Sequence, residues 1–297
     1  MMTLRQLRYF TTLATVRHFG RAAEAVGISQ PALSMQLRDM ETDLGGALVE
    51  RTAGGVELTS LGSEVARRAA EILAAVGDLE AVAHSRRGIL SGPVTLGVIP
   101  SVAPYLLPRL LPHLADAHPQ LSLHVRETIT TTLVAELSAG ELDAIIVSLP
   151  LDNERLAEQP AFRDTFLLAA PRASPHAKRK PAIAELIGAE ELLLLEDGHC
   201  LRDQALSVCQ TVDPRRLRRL GATSLATIVQ LVAAGQGVTL LPQMAVATGA
   251  FSDRRLKIVP FAEPSPFRTI GLAWRKRSPR ERDFLALAAA VEACAPT

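Results

Sequence analysis

The stretch Phe19-Gly-Arg-Ala-Ala-Glu-Ala-Val-Gly27-Ile-Ser29-Gln-Pro31-Ala-Leu-Ser34 decides the fold of the amino-terminal region. Its first eight residues have a helical pattern that Gly27 stops. Ser29 is a helix cap, and Pro31 falls in the first turn of the next helix, where a missing N–H costs nothing. The spacing predicts that helix over residues 30–44, closed by Gly45-Gly46. Upstream, Leu4, Leu7, Phe10 and Leu13-Ala14 recur at helical spacing. Helix, glycine turn and capped helix form a helix-turn-helix pattern. Leu48-Val-Glu-Arg51, the Gly54-Gly55 turn and Val56-Glu-Leu58 predict a β-hairpin, a wing. Residues 1–60 are expected to be an all-α winged helix-turn-helix domain.

Such a domain lays its second helix in the major groove of double-stranded DNA. Gln30, Pro31 and Ser34 open that helix and are the candidates for base edges or adjacent phosphates. Gln suits adenine, a hydroxyl is permissive, and Pro31 equally fits a simple helix start. Arg5 and Arg51 fit phosphate or minor-groove anchors. The formal net charge is only +1, so the whole chain does not announce a polyanionic partner. Residues 1–38, however, carry five arginines against Glu24 alone, a local +4. That bias suits a phosphate backbone or a solvated helical face.

Residues 59–88 form one long helical stretch without proline, in which Leu61, Val65, Ala69, Ile72, Val76 and Leu79 keep a three-to-four spacing. A helix of this kind pairs with a second copy or packs on its own domain. Arg86-Arg-Gly-Ile-Leu-Ser-Gly92-Pro93 has the composition of a hinge, and 61–91 is expected to be a linker and dimerisation segment. Beyond it the pattern alternates. Strands are expected at 94–99, 121–126 and 144–148, with helices at 106–117 and 131–139 and further strands at 166–170, 192–195 and 238–241. Alternation predicts a parallel α/β architecture. Residues 92–297 are expected to form a two-lobed, periplasmic-binding-protein-like regulatory domain. Lobe I covers about 92–163 and 269–297, and lobe II about 164–268.

The chain has three cysteines, and two lie nine residues apart in Glu196-Asp-Gly-His-Cys200-Leu-Arg-Asp-Gln-Ala-Leu-Ser-Val-Cys209. The start of the sequence lacks an apolar signal core, and no run approaches a membrane span, so a cytoplasmic location without a membrane partner is expected. A close cysteine pair there points to metal, catalysis or redox sensing. Cys200 follows an apolar strand and a turn, and opens a helix-like segment. Backbone N–H groups at such a position favour a thiolate, and His199 and Arg202 flank it. The spacing from His199-Cys200 to Cys209 is not that of a zinc site, and no metal or cofactor is expected. Cys294 belongs to no pattern.

Taken together, Leu4-Arg-Gln-Leu-Arg-Tyr-Phe10, His18-Phe-Gly-Arg-Ala-Ala23, Ser29-Gln-Pro-Ala-Leu-Ser34, Leu44-Gly45 and Glu50-Arg-Thr52 resemble the amino terminus of LysR-type transcriptional regulators. The resemblance extends over the whole chain. Residues 196–209, Ile99-Pro-Ser-Val-Ala-Pro-Tyr-Leu-Leu-Pro108 and Arg268-Thr-Ile-Gly-Leu272 look like the peroxide-sensing OxyR branch. It implies that Cys200 is the peroxidatic cysteine, oxidised by hydrogen peroxide, and that Cys209 resolves it as a reversible disulfide. It also implies a changed assembly on DNA, altered transcription of antioxidant genes, and a homotetramer built as a dimer of dimers. In a continuous helix nine residues span about 13.5 Å, whereas a disulfide needs Cα atoms within about 7 Å, so bond formation must remodel the segment. The resemblance places peroxide-binding hydroxyls at Ser101, where the family commonly has threonine, and at Thr130. It places a supporting charge at Arg268, with His199 beside the thiol. It places RNA polymerase contacts at Asp143 and Arg275.

Two other classes fit parts of this pattern. A LysR-type regulator could bind a small metabolite between the lobes, with incidental cysteines. A thiol peroxidase would use the same cysteine chemistry, but the amino-terminal domain opposes an enzyme.

Overall fold

The computed structural model describes residues 2–52, 55–85, 88–175, 192–196, 201, 204, 217–219 and 224–296. The chain divides into two compact units, Met1–Ala83 with Glu136–Glu141, and His84–Ala135 with Leu142–Thr297.

The first unit opens with α1 (Leu4–Val16), α2 (Phe19–Ala25) and α3 (Gln30–Leu44). Each start has a side-chain cap. Thr3 and Gln6 form a reciprocal capping box, His18 Nδ1 accepts from Arg21 N–H, and Ser29 Oγ accepts from Ala32 N–H. Gly45 closes α3 in the left-handed conformation at φ 71°, which a residue without Cβ adopts freely. The wing is the hairpin of β1 (Val49–Thr52) and β2 (Gly55–Leu58). Glu41 reaches from α3 to accept from Leu48 N–H at 2.8 Å, which sets the entry into the wing. Phe10, Leu13, Leu33, Met40 and Leu48 are each at most 1% exposed and form the core. Burying side chains of this size contributes about 1.5–3 kcal/mol apiece.

Helix α4 (Ser60–Ser85) follows at once. Thr59 caps it, accepting from Gly62 N–H and donating to Ala47 O. A Cβ at Gly62 would lie 1.9 Å from Leu48 O, so only glycine lets α4 cross the wing here. Ala69 is buried in the amino-terminal core, and Val65 and Leu73 pack on it. Leu61, Ile72 and Leu79 stay 39%, 43% and 72% exposed. The helix therefore packs on its own domain along one face and leaves apolar side chains uncovered on another. No helix among the described residues is long and apolar enough to cross a membrane.

The second unit is built on a mixed sheet. Its strands are β3 (Gly92–Val98), β4 (Leu121–Glu127), β5 (Ala144–Leu149), β6 (Leu156–Pro171), β9 (Thr239–Pro242), β10 (Leu256–Pro260) and β11 (Phe267–Arg275). They lie in the order β10-β6-β11-β5-β3-β4, with β9 also on β6. A short parallel pair joins β7 (Leu192–Leu194) and β8 (Leu217–Arg219). Helices α5 (Ala103–Ala117) and α6 (Thr130–Ala139) cross over between the first strands; α7 (Leu225–Ala233), α8 (Gln243–Ala247) and α9 (Glu281–Ala293) follow later.

The parallel α/β architecture expected from alternation holds for the first strands, and the rest of the sheet is antiparallel. Within the mixed sheet β3–β4 and β3–β5 are the parallel pairings, whereas every pairing made by β6 and β11 is antiparallel. Parallel neighbours need a crossover connection, which α5 and α6 supply for β3, β4 and β5. Strand β6 changes partners along its length. Residues Leu156–Thr165 pair with β11, and Phe166–Pro171 with β9 and β10.

Candidate functional site

The buried polar centre of the second unit lies where β3 ends and the crossing strands β6 and β11 meet. Arg268 on β11 and Asp164 on β6 are register partners. Both side chains are 1% exposed, and Arg268 Nε donates to Asp164 Oδ2 at 2.9 Å. The other Asp164 oxygen accepts from Met244 N–H, inside the first turn of α8, at 3.0 Å. The carboxylate thus joins β6, β11 and α8. A pair this deep persists only when its hydrogen bonds are met, as they are here.

The far end of Arg268 points at the turn between β3 and α5. Nη1 donates to Ser101 Oγ at 2.8 Å, Nη2 donates to Ser101 O at 3.1 Å, and Nη2 also reaches Met244 Sδ at 3.5 Å. The Phe166 ring lies 6.0 Å from the guanidinium carbon. Tyr105, on α5 and 6.1 Å from Phe251, feels the same charge. Burial pushes its phenol up, and the Arg268 cation partly offsets the rise.

Thr130 sits at the start of α6, beyond the end of β4. Its hydroxyl is buried and has no hydrogen-bond partner among the described residues. Strands β3 and β4 are parallel neighbours, with Val98 opposite Glu127, so Ser101 and Thr130 both follow the carboxyl ends of adjacent strands. That edge of a parallel sheet is where α/β proteins bind ligands. An orphaned buried hydroxyl costs about 1–3 kcal/mol, so one left open at the sheet edge that also carries Ser101 suits a small polar ligand.

His199, Cys200 and Cys209 lie outside the described residues. The flanks of their segment are described. Strand β7 leads into it, and Thr239 Oγ1 donates to Leu193 O at 2.9 Å, docking that strand beside β9. Leu201, next to Cys200 in sequence, is 4% exposed. It helps line a cavity of about 10 Å³ with Leu193, Leu195, Ile228 and Leu240. Cys294 is buried, and burial pushes its thiol pKa up despite Arg109 nearby, which disfavours the reactive thiolate.

Of the residues the sequence singles out, the structure brings Ser101 and Arg268 into direct contact. Asp164, Met244 and Tyr105 escape sequence reasoning. A lone acidic residue in a half-polar strand carries no sign of burial, and its partner is 104 residues away. Asp143 and Arg275 have partners inside the fold. Asp143 Oδ2 accepts from Thr95 N–H at 2.8 Å, and Arg275 Nη1 donates to Leu142 O at 2.7 Å.

On the amino-terminal unit, Arg5, Gln30 and Pro31 are exposed. Ser34 is only 9% exposed and lies among the buried residues of α3. Arg51 lies on β1, opposite Val56.

Comparison with known proteins places these features. Residues 4–63 match the family of bacterial regulatory helix-turn-helix proteins of the lysR type, and residues 87–295 match the LysR substrate binding domain. The chain is 41% identical over 293 residues to the DNA-binding transcriptional dual regulator OxyR of Escherichia coli K12, covering 98% of this chain and 95% of that protein. It is 37% identical to the hydrogen peroxide-inducible genes activator of Haemophilus influenzae, over 98% and 96% of the two chains. A full-length OxyR variant from Pseudomonas aeruginosa superposes with a TM-score of 0.76 at 37% identity, over 99% of both chains. A Corynebacterium glutamicum OxyR mutant with hydrogen peroxide bound gives 0.68 at 34%, over 98% and 92%. The chain belongs to the LysR family of transcriptional regulators, in its OxyR branch.

Proposed function

We propose that the chain is a peroxide-sensing DNA-binding regulator that works through Cys200 and Cys209. The observation that carries this reading is the buried Arg268–Ser101 contact at the same sheet edge as the Thr130 hydroxyl, which has no hydrogen-bond partner among the described residues. A guanidinium-held hydroxyl and a free one supply the donors and acceptors that hold a peroxide and polarise its leaving oxygen. The relatives named for peroxide, matched over nearly the whole chain, support the same assignment.

In the proposed chemistry the Cys200 thiolate attacks one peroxide oxygen. An S–O bond forms, the O–O bond breaks, and the departing hydroxide takes a proton to leave as water. The Cys209 thiol then attacks the sulfenic sulfur, an S–S bond forms, and a second water leaves. One peroxide is reduced and two thiols are oxidised. Leu201 is anchored in the core, so a disulfide that remodels residues 200–209 also pulls on that anchor. His199 is proposed to support the thiolate.

Double-stranded DNA is proposed to meet Arg5, Gln30, Pro31, Ser34 and Arg51. Leu61, Ile72 and Leu79 on α4 are proposed to face a second copy in a dimer, with a dimer of dimers as the assembly. RNA polymerase is proposed to approach Asp143 and Arg275. The two-lobe division of residues 92–297 and a cytoplasmic location complete the proposal.

The deciding experiment treats purified protein with micromolar hydrogen peroxide and maps thiols by mass spectrometry alongside DNA footprinting. A Cys200–Cys209 disulfide, absent in Cys200→Ser, with a changed footprint is expected. A footprint indifferent to peroxide but shifted by a small metabolite would overturn the reading.

A further inference from the structure

Helix α3 exposes Gln30 and Pro31, as its sequence suggests, and leaves Ser34 9% exposed. Leu33, Leu37 and Met40 are buried in the domain core. The outward stripe is Pro31, Met35, Arg38 and Thr42, spaced four, three and four residues apart along one side of a 15-residue helix. Met35 is 55% exposed, a large apolar side chain between Pro31 and the polar Arg38 and Thr42. It lies one residue beyond Ser34 and one turn beyond Pro31, the position from which a recognition helix reaches base edges. The core beneath α3 is already filled by Leu33, Leu37 and Met40, so nothing within this domain accounts for an apolar residue there.

We infer that Met35 determines operator sequence by packing against thymine C5-methyl groups in the major groove. This rests on the DNA-binding reading given above. Of the chemical groups displayed in the major groove, the thymine methyl is the apolar one, and apolar side chains select it. The net +4 of residues 1–38 brings the helix to the duplex without choosing a sequence. The thioether is flexible and fits a methyl group without a fixed hydrogen-bond geometry. Arg38, one turn further along the stripe, is placed for the phosphate that bounds the same contact.

The test uses the full chain and a duplex that it selects from random sequence, synthesised with thymine and again with deoxyuracil. That exchange deletes the methyl group and keeps every hydrogen-bonding edge. The native protein should lose about three- to fivefold in affinity per contacted methyl on the deoxyuracil duplex. Met35→Ala should bind the thymine duplex more weakly and lose nothing further on deoxyuracil. Met35→Gln keeps the length and should behave likewise. Equal losses for native and variant proteins, or no loss for the native protein, would overturn the assignment. A chain that selects no sequence at all would instead overturn the DNA-binding reading. Because Met35 is exposed, both variants should melt within a degree or two of the native protein, which separates lost contact from lost fold.

Discussion

Removing the Asp164 carboxylate tests the central network of the regulatory unit. In Asp164→Ala the Arg268 cation, whose side chain is 1% exposed, loses its counter-charge, and Met244 N–H loses its acceptor. Breaking a buried pair from one side costs about 3–5 kcal/mol. With a urea slope of about 2 kcal/mol/M, the unfolding midpoint should fall by about 1.5–2.5 M. Trp274, the single tryptophan, is 3% exposed on the same strand as Arg268 and packs 5.6 Å from the Phe284 ring, so its fluorescence reports this unit alone. Asp164→Asn keeps one carbonyl acceptor and should cost less, about 1.5–3 kcal/mol. The sharper measurement is the cycle with Arg268→Met. Each single variant strands a buried charge and the double strands none, so the double should cost about 2 kcal/mol less than the sum of the singles. Additivity within about 0.5 kcal/mol would show that the two groups do not depend on each other, and the network reading would be wrong.

Thr130→Val removes a buried hydroxyl that has no partner among the described residues, so it should leave stability unchanged or raise it by about 1 kcal/mol while slowing peroxide-driven disulfide formation at least tenfold. Calorimetry and a peroxide time course check this, and loss of stability with unchanged reactivity would contradict it. Gly62→Ala places a methyl group 1.9 Å from Leu48 O, a clash that must part α4 from the wing. It should cost more than about 2 kcal/mol in thermal unfolding and abolish operator binding in a gel-shift titration. Hydrogen bonds from Arg67 and Arg68 pull the Glu64 carboxyl down from its ordinary 4.5 to about 2. A depressed carboxyl stabilises the folded helix fully above pH 4.5 and loses that effect as pH falls toward 2. An NMR titration of the Glu64 side chain should therefore find its midpoint near 2, and a midpoint near 4.5 would mean that the ion pairs do not form in solution.

The amino-terminal helices were legible because their signals are local. Ser29, Pro31 and Gly45 act on the residues beside them, and nothing distant reverses the outcome. The same holds for α5 and α6 between the parallel strands. The first half of β6 was not legible. It carries Pro160, Arg163 and Asp164 and is partly exposed, and it is a strand because β11 returns to pair with it from more than a hundred residues away. Arg268 stood out through likeness to a family, but nothing in its surroundings announces that it is buried. Its setting depends on Asp164, which looks like any solvent-facing acid until the two strands align. On α3, Ser34 stood out in the sequence and Met35 did not, yet Ser34 is 9% exposed and Met35 55%. Exposure on this helix is set by how Leu33, Leu37 and Met40 seat in the core, which spacing alone does not fix.

The place of β11 in the sheet has a consequence for synthesis. It is inserted between β5 and β6, yet it is made long after both. Until Phe267–Arg275 emerges from the ribosome, β5 and β6 each present a bare line of amides and carbonyls to any strand that passes. The core of the amino-terminal helices, by contrast, is made entirely of residues between Leu7 and Leu73. A chain cut short before β11 would keep a finished DNA-binding head on a body with two open edges, the kind that invites aggregation. Late closure of the sheet thus means that a truncated chain can complete its amino-terminal unit and still lack the strand that joins the two halves of its regulatory sheet.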